Sequence, residues 1–226
     1  MIKAGIAGAG FAASFHYESI QQASVPGIQP WGVYSKTKEH REAFAHERGL
    51  KAYDSMESML DEVDVVHLCI PAAMHEYVAV EALKRNVHVI HEKPFTGYFG
   101  PSGNEAFAGN EFPKAKMKAA ALASAKRIID AENTSCANIY YAENWMFAPV
   151  IQKEAEIIKK TKAQILWMVA EEAHSGSHSQ AYGVWRLAGG GSLMGKGCHP
   201  LTASKHSLIP LWTARFIWNG GENKQE

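Results

Sequence analysis

The chain has 226 residues, 46% hydrophobic and 20% charged, which is enough for one large domain or two small ones with a sizeable core. Its 23 basic and 23 acidic side chains balance, which argues against a nucleic-acid or membrane-surface partner. Apolar stretches are too short for a membrane span or a secretory signal, and the 3 cysteines form no disulfide framework, so we expect a cytoplasmic protein with reduced thiols.

Strands and helices alternate over the first part of the chain. Short apolar runs bounded by glycine or proline predict buried strands, and apolar residues at helical spacing predict the helices between them. The predicted strands are Ile2–Ala7, Gln29–Tyr34, Asp64–Ile70 and Val87–His91. The predicted helices are Phe11–Gln22, Glu39–Arg48 and Glu76–Arg85. This alternation is typical of right-handed βαβ units in a parallel sheet.

The pattern changes after Phe95. Residues 96–113 are rich in glycine, proline and phenylalanine without a period, which predicts an irregular excursion. The helices predicted beyond it are Lys114–Glu132, Val150–Lys160 and Ser192–Ser204. The strands predicted there are Asn138–Ala142 and Ala163–Glu171, the second of which opens a second sheet.

A glycine-rich motif joins the first predicted strand to the first helix. It reads Gly8-Ala9-Gly10-Phe11-Ala12-Ala13, in which Gly8 suits a tight turn and Gly10 lets the backbone approach a pyrophosphate. The helix N-terminus, at Phe11 and Ala12, offers backbone N–H groups to an anion. The motif predicts a dinucleotide site in a Rossmann-type, doubly wound parallel sheet, and the alternative is a tight strand–helix turn without a ligand.

The turn after the second strand bears on the choice of dinucleotide. An NAD site usually has Asp or Glu here to bind the ribose hydroxyl, whereas this chain reads Tyr34-Ser35-Lys36-Thr37-Lys38. A hydroxyl and ammonium groups bind a 2′-phosphate, which a carboxylate would repel. We therefore expect NADP rather than NAD, held by Ser35 and Lys36. A solvated basic turn is the alternative.

Two further motifs follow predicted strands, where open α/β sheets bind ligands. They are Pro71-Ala72-Ala73-Met74-His75 and Glu92-Lys93-Pro94. With the glycine motif, Glu143–Pro149, Trp185-Arg186 and Gly189–His199, they form an ordered set that resembles the Gfo/Idh/MocA family over residues 1–95 and 138–202.

The resemblance implies a nicotinamide-dependent oxidoreductase that acts on a sugar, a polyol or a related keto-sugar. It implies that Lys93 lies beside the reacting carbon–oxygen bond, that the Lys93–Pro94 peptide is cis, and that Pro71, His75 and Glu92 serve the cofactor. Hydride transfer from an alcohol requires a proton acceptor and positive charge near the developing alkoxide, which a lysine can supply. Structural roles for His75 and for the Glu92-Lys93-Pro94 strand end are the alternatives.

The glycine-rich segment adds His199 as a candidate acid or base. The resembled family has an Asp four residues before this histidine, on the same helical face, but this chain has Gly195 there and Thr202 at the next acidic position. His199 would therefore lack a carboxylate partner unless another part of the fold supplies one. Lys196, at helical spacing, would add positive charge near the substrate; a solvated lysine and a structural histidine are the alternatives.

Trp145 and Arg186 are predicted to line the sugar site, by stacking and by hydrogen bonding, although each could be structural. The remaining histidines lack acidic or cysteine neighbours at metal-ligand spacing, so we predict no metal. The resemblance implies that residues 1–142 form the dinucleotide domain and that residues 143–226 form a partial α+β domain for substrate binding and oligomerisation. We expect this second domain to be shortened, because only 27 residues follow His199. The family commonly associates through this second domain, which implies a homo-oligomer.

The leading hypothesis is an NAD(P)-dependent oxidoreductase. The alternatives are an NAD(P)-binding sensor without turnover and an inactive, shortened family member.

Overall fold

The computed structural model describes residues 1–23, 26–110, 112–173 and 183–208 and contains a six-stranded parallel sheet. The strands are β1 Ile2–Ala7, β2 Ile28–Tyr34, β3 Lys51–Ala52, β4 Val65–Leu68, β5 His88–His91 and β6 Ile139–Tyr141. Their order is β3-β2-β1-β4-β5-β6, and every neighbouring pair is parallel. This is the Rossmann order, whose reversal between β1 and β4 opens a ligand crevice, so the predicted fold class is confirmed.

Helices α1 Phe11–Gln22, α2 Lys38–Arg48, α3 Met56–Leu60, α4 His75–Lys84 and α5 Lys114–Asn133 cover both faces of the sheet. Later in the chain follow α6 Pro149–Thr161, α7 Trp185–Ala188, α8 Ser192–Gly195 and α9 Cys198–Leu208. Ile6 and Val33 pack in one buried cluster with residues of α1 and α2. Val66 and Val89 pack in a second cluster with residues of α3, α4 and α5. Burial on both faces explains why the central strands read as nearly continuous apolar runs.

The predicted excursion after Phe95 is irregular, as expected, and has its own aromatic cluster. Tyr98 stacks on Phe112 with ring centroids 5.2 Å apart, and Phe107 meets Trp185 edge-on at 6.2 Å. The indole N–H of Trp185 donates to the carbonyl of Tyr98 at 2.9 Å. A Cβ on Gly97 would lie 2.7 Å from the Cα of Gly189, so the two backbones touch. Residues that follow Lys93 closely in sequence are thus anchored by a much later segment.

The described chain forms two compact units, residues 1–142 with 183–198, and residues 143–173 with 199–208. Within the described part of the second unit there are helices and no strand, so the predicted strand Ala163–Glu171 is wrong. A strand needs a neighbour to pair its backbone groups, and an apolar sequence alone does not supply one. The side chains of Leu166 and Trp167 are instead 82% and 78% exposed.

The single helix predicted over Ser192–Ser204 is also wrong. The structure has α8 and α9, separated by Lys196, whose φ of −133° and ψ of −31° are not helical, and by Gly197. The helical spacing that put Gly195, Lys196 and His199 on one face therefore does not apply. Over the ranges that the structure describes, no helix combines the length and apolarity needed to cross a membrane.

Candidate active site

The turn after β1 requires a glycine at its first position. Gly8 has φ of +111°, and a Cβ there would lie 2.2 Å from the carbonyl oxygen of Cys69, which follows β4. Its N–H donates to the carbonyl of Tyr34 at 2.7 Å. The turn is therefore wedged between the ends of β2 and β4, at the reversal of strand order.

The N-terminus of α1 fits a dinucleotide pyrophosphate. No described side chain caps this helix, and its first turn carries no acidic residue that would repel a phosphate. A Cβ on Gly10 would meet nothing within 4 Å, so the space in front of the turn is open to a ligand. Phe11 begins the helix with its side chain 82% exposed, and Ala12 follows it.

A cation that the sequence alone did not indicate lies beside the turn after β2. Ser35 is half-buried and Lys36 exposed, as a phosphate contact requires. The buried Arg41 of α2 donates to the Ser35 carbonyl at 3.1 Å and to Asp54 at 2.8 Å. Its guanidinium adds positive charge next to this turn, and a residue six positions further along the chain gives no local signal of that contact.

Glu92 and Lys93 follow β5, at the same edge of the sheet. The Lys93–Pro94 peptide is cis, as the resemblance implies. The Lys93 N–H donates to Oε2 of Glu92 at 3.0 Å, and His16 Nε2 donates to Oε1 at 3.1 Å. Nδ1 of His16 lies 2.8 Å from Nδ1 of the buried His67. A row of hydrogen bonds thus runs from His67 of β4 through His16 of α1 to Glu92. The sequence did not indicate that His16 takes part in the site.

Electrostatics hold Glu92 ionised in this row. Burial alone raises the pKa of Glu92, but the hydrogen bonds and charges of His16 and Lys93 outweigh it and leave that pKa below its ordinary value. A negative carboxylate therefore remains beside Lys93 at neutral pH.

His75 is enclosed by backbone. Its Nδ1 lies 3.1 Å from the carbonyl oxygen of Pro94 and its Nε2 3.1 Å from that of Ile70, and burial lowers its pKa. The ring packs edge-on against His91, with centroids 4.7 Å apart. These contacts tie the Pro71 turn to the Glu92-Lys93-Pro94 segment, whereas the predicted cofactor contact of His75 stays a prediction.

Acid should destabilise the fold through two buried histidines. Burial, aided by His16, lowers the pKa of His67 to about 3, and burial, aided by His75, lowers that of His91 to about 3. In the unfolded chain histidine titrates near 6.5, so between about pH 6.5 and pH 3 the unfolded state binds more protons. The free energy of unfolding should therefore fall with acid by up to about 1.4 kcal/mol per pH unit for each histidine.

Guanidinium unfolding at pH values from 7 to 5, above the range where carboxylates titrate, measures this slope. H67Q and H91Q should each flatten it, and H46Q, at an exposed position of α2, should not. A wild-type midpoint that stays constant across this range would contradict the expectation.

His199 has the carboxylate partner that its own segment lacks. Nδ1 of His199 lies 2.5 Å from Oε1 of Glu143, and both side chains are buried in the second unit. Trp145, 44% exposed, has its ring 6.2 Å from that of His199. The sequence gives no local signal for this pair because Glu143 precedes His199 by 56 positions.

Arg186 and Lys196 belong to the first unit. The Arg186 guanidinium donates to the carbonyls of Pro101 and Asn104, each at 2.9 Å, and pairs with Glu105 at 3.3 Å. It therefore secures the excursion after Phe95, and its predicted sugar contact stays a prediction. Lys196 is half-buried at the end of α8. Among residues 1–23, 26–110, 112–173 and 183–208, no group of three or more His, Cys, Asp or Glu could hold a metal ion; His174 and His178 lie outside them.

Comparison with known families agrees with this geometry. Residues 2–106 match the Gfo/Idh/MocA family, described as an oxidoreductase family with an NAD-binding Rossmann fold. This N-terminal part of the chain belongs to the Gfo/Idh/MocA family. The match includes the Gly8 turn, the end of β2 and Glu92-Lys93-Pro94.

Two curated relatives that match part of the chain are sugar dehydrogenases by name. UDP-N-acetylglucosamine 3-dehydrogenase of Acidithiobacillus ferrooxidans is 33% identical over 98 residues, 42% of this chain and 29% of the relative. Glucose-6-phosphate 3-dehydrogenase of Bacillus subtilis is 29% identical over 94 residues, 42% of this chain and 26% of the relative. The matched segments thus span less than a third of either relative.

The fold likeness extends further along the chain than the sequence likeness. The crystal structure of GenD2 from gentamicin A biosynthesis, in complex with NAD, superposes with a TM-score of 0.70 at 19% identity. It covers 92% of this chain, which spans 53% of that structure. At this identity the likeness shows the fold alone.

Proposed function

We propose that this protein is an NAD(P)-dependent oxidoreductase that transfers a hydride between nicotinamide and a sugar, a polyol or a related keto-sugar. The observation that carries the proposal is the common location of two features at the carboxyl ends of the strands. The glycine turn and open helix N-terminus follow β1, and Glu92-Lys93-Pro94 follows β5. The names of the relatives support a sugar-like substrate.

In this proposal the dinucleotide, when bound, supplies the hydride acceptor or donor. Gly8 and Gly10 let the backbone approach its pyrophosphate, and the N–H groups of Phe11 and Ala12 bind that anion. Pro71 and His75 border the site where β4 ends.

The remaining groups act on the substrate. Glu92 holds the backbone at Lys93, whose ammonium stabilises the negative charge that develops on the substrate oxygen. His199 accepts the hydroxyl proton at Nε2, and Trp145 stacks on the sugar ring. The substrate domain in this proposal is the second unit, which contains residues 143–173 and 199–208. Arg186 is left out of the proposed substrate contacts, because protein groups already hold its guanidinium.

A titration with NADPH and NADH, followed by a hydride-transfer assay, tests the proposal. The substrate panel should include nucleotide sugars, sugar phosphates and free polyols. We expect binding and turnover on at least one class. Dinucleotide binding with no turnover across the panel would favour a sensor without catalysis, and no binding of either dinucleotide would refute both.

We also propose that the dinucleotide is NADP. Replacing Ser35 with Asp adds a carboxylate where the 2′-phosphate is expected to bind, so NADPH should bind about tenfold or more weakly while NADH binding holds or improves. Fluorescence titration of both dinucleotides measures the change, with S19D on the exposed face of α1 as a control. Unchanged NADPH affinity would remove Ser35 from the site.

A further inference from the structure

Glu143 and His199 form a buried pair, although the residues close to His199 in sequence supply no acid at the expected positions. The segment before His199 offers Gly195 where the resembled family has an Asp. Glu143, which lies between β6 and α6, is only 2% exposed, and its Oε1 is 2.5 Å from Nδ1 of His199. Hydrogen bonds to an ionised carboxylate are stronger than those between neutral groups.

In the contact between Glu143 and His199, the histidine is the hydrogen-bond donor. An ionised carboxylate only accepts hydrogen bonds, so Nδ1 of His199 must carry the proton. Oε1 of Glu143 also accepts from the backbone N–H of Trp145 at 3.2 Å, which fixes the carboxylate. In the neutral imidazole, Nε2 is then the nitrogen with a free lone pair.

The contact also matters for charge. A carboxylate out of water is costly unless a partner compensates it, and among the described residues Oε2 of Glu143 has no hydrogen-bond partner. The carboxylate therefore depends on His199. When His199 gains a second proton, the negative charge of Glu143 lies next to the new positive charge.

We propose that Glu143 is the positioning residue of His199: it holds the proton on Nδ1, leaves Nε2 to exchange a proton with the substrate hydroxyl, and compensates the imidazolium. The exchange at Nε2 rests on the function proposed above, whereas the tautomer does not. In this chain the acid comes from the segment after β6 instead of from position 195.

Histidine 15N NMR on the full chain tests the tautomer without a substrate. H199N identifies the His199 signals among the 11 histidines. We expect the Nδ1–H form in the wild type and in E156Q, a control acid that pairs with surface lysines of α6. E143L should shift His199 to the Nε2–H form, because it removes the acceptor. An Nε2–H tautomer in the wild type, or a spectrum unaltered in E143L, would overturn the proposal.

Turnover of a second variant, E143Q, tests the role of the negative charge of Glu143. This measurement does not depend on whether E143L folds. E143Q keeps an oxygen for both donors but loses the charge, so kcat should fall about 10- to 100-fold with KM changed by less than about threefold. E143D should recover most of the loss. If the tautomer follows Glu143 while E143Q turns over like the wild type, the positioning of the ring stands and the compensation of the imidazolium by Glu143 is refuted.

Discussion

Replacing Lys93 with methionine is expected to lower kcat for hydride transfer by about 10³-fold or more, while dinucleotide affinity stays within about threefold. Methionine keeps the length of the side chain and removes the ammonium that would stabilise the substrate oxygen. Stopped-flow measurement of nicotinamide absorbance, with the substrate found in the panel assay, gives the rate. Dinucleotide affinity comes from a separate titration.

The matched control is K126M. Lys126 lies on the exposed side of α5, and its ammonium pairs with Asp130 at 2.8 Å. This variant loses the same charge far along the chain from Glu92-Lys93-Pro94, so its rate should equal that of the wild type. Turnover of K93M within about threefold of wild type would refute the catalytic role of Lys93.

Alanine substitutions at the two glycines of the first turn should have different effects, one on stability and one on dinucleotide binding. G8A places a methyl group against the Cys69 carbonyl in a left-handed conformation, which should lower the free energy of unfolding by about 2–5 kcal/mol. G10A meets no protein atom, so it should unfold like the wild type and yet bind NADPH at least about tenfold more weakly, because the methyl group lies where the pyrophosphate is expected to approach.

Denaturant unfolding and dinucleotide titration of both variants separate the two effects. G49A is the control for backbone strain, because Gly49 also has positive φ, at +65°, but a Cβ there meets nothing within 4 Å. It should cost only about 1–2 kcal/mol and leave binding intact. Normal NADPH affinity in G10A would place the pyrophosphate elsewhere.

The central strands could be predicted because their signal is local. Val65–Leu68 is buried on both faces, so its sequence is almost continuously apolar whichever strands flank it. The edge strand Lys51–Ala52 has two exposed residues and no such run, and it was missed. Segment 163–171 carries the apolar residues of a strand, but strand formation depends on a partner that no local pattern specifies.

The same distinction separates the parts of the candidate site. Gly8, Gly10 and Glu92-Lys93-Pro94 are visible in the sequence because each motif is contiguous. The contacts of Glu92 with His16 and of Glu143 with His199 join positions 76 and 56 residues apart, so only the folded chain brings them together. A histidine without a nearby acid in sequence is therefore poor evidence that the acid is missing.

The anchoring of the excursion after Phe95 has a consequence for biosynthesis. All six described strands have been synthesised once Tyr141 has been made. Tyr98 contacts Trp185, and Gly97 contacts Gly189. These partners emerge from the ribosome 87 and 92 positions later, so the contacts form only then. Because nascent chains fold from the N-terminus, the loop that follows Lys93 should gain these contacts only after the sheet has formed. A nascent chain stopped before Trp185 should therefore present a formed dinucleotide turn next to an excursion that proteases can still cleave.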